Sequence, residues 1–185
     1  MQPGVRFIDE YPEIKQLFEK LFLNRELDEW YIKTCKQKLL IPNGLENLEL
    51  VKDIFIHDNF NPSTYLYLYL DNKIGEGGFI FKQQVNLVVS KIVPVYKMDF
   101  LYSVKHNSLI GTVQAEGSPQ ETFEMLELEE KIREIFKNCD YIELTDYDLK
   151  DTVYDWNILN IDPFDRRLTL EYASFFDVLE LCNEE

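Results

Sequence analysis

The sequence predicts an α+β fold, a single domain over residues 1–185. Its mainly antiparallel β-sheet has about five to seven strands, with an N-terminal helix and a long helix near 119–138 packed on it. Three observations carry that reading. Tyr65 to Leu70 alternates strictly, leucines against tyrosines, which is the period of a half-buried strand. Ile14, Leu17, Phe18, Leu21 and Phe22 recur at helical spacing and form one apolar stripe. Ser118-Pro119-Gln120-Glu121 has the form of a capping box, with proline at the first helical position, and a second apolar stripe follows it.

Residues 10–23 read as the first helix, with Asp9 as its cap and Pro12 in its first turn. A second helix over 27–36 competes with a strand beginning at Trp30-Tyr31-Ile32, and Pro42-Asn43-Gly44 ends the segment. Strands then follow at 51–57, 65–70, 79–82, 85–93, 95–104 and 109–114. Their short connections imply hairpins and an antiparallel meander. Met125, Leu128, Ile132, Ile135, Phe136 and Cys139 line the apolar face of the long helix. Beyond it, 141–145 reads as a strand, 146–165 as loop, and Leu168, Leu170 and Tyr172 as a last alternating strand; Phe175 to Cys182 fits a short helix or a strand.

Composition bounds the function. Of 185 residues, 45% are apolar and 14% aromatic, which supplies a core that folds without disulfide or metal. Cys35, Cys139 and Cys182 are odd in number and far apart, a pattern of reduced thiols. Residues 1–10 show no apolar leader, and no stretch approaches the ~18 apolar residues of a membrane span, so a cytoplasmic location is expected. The net charge of −15 argues against nucleic acid and against an anionic membrane as partners.

The groups that usually carry chemistry are sparse. His57 and His106 stand in no metal-ligand spacing, and His106 reads as a surface-turn residue. Gly75-Glu76-Gly77-Gly78 leads into Phe79-Ile80-Phe81, not into a helix, and reads as a hairpin turn instead of a phosphate loop. Cys139 reads as a core residue, and no serine sits in a nucleophile elbow. No catalytic residue, cofactor or metal is expected. Eight aspartates and glutamates between Asp140 and Asp165 are the exception. They read as a solvated loop or a protein-binding surface. An alternative is a divalent-metal-dependent hydrolase or nuclease built on Asp140, Glu143, Asp146 and Asp148, although the turn glycine of a Ca²⁺ loop is missing. A module holding a small apolar ligand between sheet and helices is a further alternative.

Charge is distributed unevenly. Residues 1–117 carry 15 acidic against 13 basic side chains, whereas 118–185 carry 19 against 6. A field so concentrated steers a basic partner, and aromatic side chains interleaved with it supply anchors. The expected contacts are Asp146, Asp148, Asp151 and Asp155, read as exposed, with Tyr154 and Trp156. In this profile the chain resembles small bacterial immunity proteins, which neutralise a cognate toxin in the cytoplasm. The resemblance implies a non-enzymatic, antitoxin-type binding protein with a basic protein partner.

Overall fold

A computed structural model describes residues 6–106, 108, 113–116, 122–155 and 167–182. At its centre is a sheet of seven strands: β1 (Val51–His57), β2 (Ser63–Leu70), β3 (Lys73–Ile74), β4 (Phe79–Ser90), β5 (Val95–His106), β6 (Val113–Glu116) and β7 (Ile142–Glu143). The strands run in the order β1-β2-β4-β5-β6, with β3 beside β4 and β7 beside β5. All pairings are antiparallel except that of β7, which lies parallel to Val95–Tyr96. The α+β class and the dominant antiparallel sheet are those the sequence predicts.

Two faces of this sheet organise two cores. Leu66 and Leu68 of β2, Val85, Leu87 and Val89 of β4, and Tyr96 and Phe100 of β5 share one face. Against it packs α4 (Phe123–Lys137) through Met125, Leu128, Ile132 and Phe136, all with no exposed surface. Phe136 stacks on Tyr96 with ring centroids 4.2 Å apart. The other face carries Val88 and Tyr65 and is covered at one end by the N-terminal helices and the C-terminal segment. There α1 (Phe7–Glu10), α2 (Pro12–Phe18), a π-helical turn (Glu19–Leu23) and α3 (Asp28–Lys36) bury Phe7, Ile14, Phe18, Leu21, Phe22, Tyr31 and Cys35.

Several boundaries differ from expectation. The long helix starts at Phe123, not 119, because Thr122 is its cap: the Thr122 Oγ1 accepts from Met125 N at 3.3 Å. The same hydroxyl accepts from Gln83 Nε2, which ties the helix start to β4. Ser118 and Pro119 lie outside the described residues. Asp9 does not cap α2; it belongs to α1 and pairs with Arg6 at 2.9 Å, while Tyr11 is the cap residue ahead of Pro12. Residues 79–93 hold one strand to Ser90 instead of two, since the polar pair Gln83-Gln84 stays in register with Tyr102 and Leu101. The last expected strand becomes β9 (Arg167–Thr169) followed by α6 (Leu170–Phe175), because the Thr169 hydroxyl accepts from Tyr172 N and starts a helix. Cys139 is exposed, one residue past the Asn138 C-cap of α4, where the chain turns through Asp140 at φ 60°. The glycine cluster is a turn, as expected: Glu76–Gly78 forms a 3-10 turn between β3 and β4, with Gly77 at φ 76°.

Buried polar groups tie the layers together. Lys91, only 4% exposed, donates to Asp58 at 2.6 Å, to the Cys35 carbonyl at 2.9 Å and to the Asn59 carbonyl at 3.0 Å. Asp58 also accepts from Leu39 N and Thr64 Oγ1. Ser63 and Ser90 donate to the carbonyls of Phe175 and Ser174, fastening the end of α6 to the sheet.

Candidate functional site

Much of 146–155 is helix or strand where the sequence suggested loop. Residues Asp146–Leu149 form α5, and β8 (Thr152–Asp155) pairs with β9 in a separate two-stranded sheet. The cause of α5 is local. Thr145 Oγ1 accepts from Asp148 N at 3.3 Å, while Asp148 Oδ2 accepts from Thr145 N at 2.9 Å and Thr145 Oγ1 at 2.6 Å. This reciprocal cap starts a helical turn and also spends Asp148, whose side chain is buried at 1% exposure.

The expected contact residues therefore separate. Asp146 is exposed in the first turn of α5 and makes no hydrogen bond or ion pair with the described residues. Asp148 is not exposed as expected, because it is the cap partner. Asp151 is half-buried and accepts from Phe7 N at 3.0 Å, which fixes the N-terminal helix to this region. Tyr154 packs against the core under the N-terminal helices, and its hydroxyl is buried without a partner among the described residues. Burial, with the Glu19 charge, pushes that phenol up to about 12. Asp155 ends β8 opposite Arg167, and Trp156 lies outside the described residues.

A groove of about 420 Å³ opens where β5, α4, β7 and α5 meet; Asp99, Glu129, Arg133, Glu143, Asp146 and Tyr147 line it. Arg133 is its hub. The guanidinium grips Glu143 through two bonds, 2.6 and 2.9 Å, and reaches Glu129 at 2.6 Å one helical turn back. Glu129 is only 4% exposed, and burial raises its carboxyl above the usual range despite Arg133. The Tyr96 hydroxyl donates to Glu143 at 3.4 Å; burial, then the Glu143 charge, raises that phenol as well. At the groove's other side Lys97 is committed to Glu171 at 2.8 Å. Burial works against the Lys97 ammonium, but Glu171 outweighs it and the pKa is raised.

Two features of the groove lie outside the expected contact set. One is Tyr147, 67% exposed at the rim beside Asp146. The other is a length of sheet edge that no described strand covers. On the side of β5 away from β4, β7 pairs with Val95–Tyr96 and β6 with Leu101–Val104. No strand among the described residues pairs with Lys97–Phe100 between them. The Tyr96 carbonyl accepts from Leu144 N on this side, so strand alternation turns the N–H and C=O of Met98 and Phe100 to the same side, into the groove.

The four carboxylates of the metal alternative do not converge. Glu143 is held by Arg133 and Asp148 by Thr145, and no three His, Cys, Asp or Glu side chains among the described residues are placed to hold a metal ion. The space between the sheet and α4 is filled by the side chains that α4 and the sheet bury against each other. No helix among the described residues is long and apolar enough to cross a membrane. Comparison of the chain with protein-family models, with curated proteins and with solved structures finds no match.

Proposed function

We propose that this chain is a non-enzymatic binding protein that takes up an extended, basic segment of a partner protein along the Lys97–Phe100 edge of β5. One observation carries the reading: a strand edge that no strand among the described residues pairs with lies in a groove whose spare charge is negative. Glu129, Glu143 and Asp146 face Lys97 and Arg133 there, and both cations are already bound by carboxylates. A sheet edge offers main-chain hydrogen bonds to any extended peptide, and the side chains along it select the sequence. Asp146 then meets a lysine or arginine of the incoming segment, and Tyr147 supplies an aromatic contact with little conformational entropy to lose.

On this reading the net charge of −13 over residues 118–185 steers the encounter, and the partner is a basic protein of the toxin type that an immunity protein neutralises in the bacterial cytoplasm. Affinity capture on the immobilised protein tests it, with Asp146→Asn/Tyr147→Ala as the control surface. A basic protein retained by the wild type and lost from the variant is the expected result. Equal recovery of the same proteins on both surfaces overturns the assignment of this groove.

A further inference from the structure

Far apart in sequence, Cys35 and Cys182 share the core under the N-terminal helices. Cys35 is wholly buried on α3, and Cys182 is 8% exposed near the end of the described chain. Each thiol lies near enough to shift the other's titration. Asp177 sets this juxtaposition. Its Oδ1 accepts from the Tyr31 hydroxyl at 3.0 Å, one turn before Cys35 on the same helix. Its Oδ2 accepts from Cys182 N at 2.6 Å, and its Oδ1 also accepts from Leu181 N at 3.3 Å. One carboxylate thus draws the backbone at Cys182 onto α3.

We infer that Cys35 and Cys182 form a latent dithiol, which a small-molecule disulfide such as oxidised glutathione converts into an intramolecular disulfide locking the C-terminal segment to α3. The segment 176–182 holds no helix or strand, and Cys182 is the more exposed thiol, so local opening presents it first. The Cys182 thiolate attacks one sulfur of oxidised glutathione and releases one glutathione thiolate. The Cys35 thiolate then attacks the sulfur of Cys182 and releases the second. Two protein thiols lose two protons and two electrons, and the electrons leave on two molecules of reduced glutathione. Burial holds the Cys35 thiol up at about 11, and burial together with Cys35 raises Cys182 too, so the closed segment keeps both protonated and slow to react.

The exposed Cys139 forms adducts of its own, so the experiment uses the full chain carrying Cys139→Ser. After incubation with oxidised glutathione, intact mass should fall by two hydrogens, and peptide mapping without reductant should join the peptides holding Cys35 and Cys182. The melting temperature should rise by roughly 5–15 °C, and reductant should reverse it. Adding Cys35→Ser should leave one glutathionyl group fixed on Cys182. Recovery of both thiols free, or a glutathionyl group that persists on Cys182 while Cys35 is present, overturns the inference. If the Cys35→Ser chain does not fold, the mass and peptide map of the parent still decide.

Discussion

Asp146 and Asp148 lie on one helical turn and should respond to substitution in opposite ways. Replacing Asp148 with alanine removes the acceptor of two bonds from Thr145, at 2.9 and 2.6 Å, and so removes half of the reciprocal cap that starts α5. Loss of such a cap costs about 0.5–2 kcal/mol. Two opposing contributions act in addition. Thr145 is exposed, so water can take over its N–H and hydroxyl, whereas the buried Asp148 Oδ1, unpartnered among the described residues, represents a desolvation cost that the alanine relieves. The net expectation is a loss of about 1–2 kcal/mol, which at this chain length lowers the melting temperature by roughly 2–8 °C. Asp146→Asn, at an exposed position without partners among the described residues, should stay within about 0.5 kcal/mol of the wild type. Circular-dichroism melts measure the first quantity, and stopped-flow association with the captured partner measures the second. Asp148→Ala should melt earlier while associating normally; Asp146→Asn should melt normally while associating more slowly, most clearly at low salt. If Asp148→Ala melts like the wild type yet fails to bind, Asp148 is an exposed contact and the capping argument is wrong.

Ile132→Ala should cost about 2–5 kcal/mol in urea unfolding, since Ile132 is wholly buried between α4 and the sheet and its deletion leaves a cavity. Lys91→Met strands the Asp58 carboxylate and should cost about 3–5 kcal/mol by the same measurement. Burial alone would raise Asp58, but Lys91 and the Leu39 N–H outweigh it and hold its folded pKa below the ordinary value. Its contribution is therefore fully present above the unfolded carboxylate pKa of about 3.9 and is lost as pH falls through the lower folded value. Unfolding midpoints followed from about pH 5 down to about pH 2 should drop less steeply in Lys91→Met than in the wild type.

Periodicity carried much of the fold. The 2-residue alternation at Tyr65–Leu70 and the stripe through Met125, Leu128, Ile132 and Phe136 correspond to buried faces in the structure. What escaped sequence reasoning was decided by competition between similar local signals. Ser118 and Thr122 both carry a capping hydroxyl, and Thr122, which also receives Gln83, begins the helix. Thr145 and Thr169 each start a short helix where acidic or alternating residues suggested loop or strand. The candidate site was less legible because its parts are distant in sequence. Clustering marked Asp146, but nothing local distinguishes it from Asp148, whose burial depends on Thr145. The β5 edge and the Cys35–Cys182 contact are products of strand order and chain return, which carry no local signature.

Amide hydrogen–deuterium exchange of β5, with and without the captured basic partner, tests the central claim most directly. Strand addition predicts that the amides of Met98 and Phe100, which face the groove, become protected on binding, while the amides of Lys97 and Asp99, already turned toward β4, change little. Unchanged exchange at Met98 and Phe100 in a saturated complex would contradict it and place the partner elsewhere on the protein.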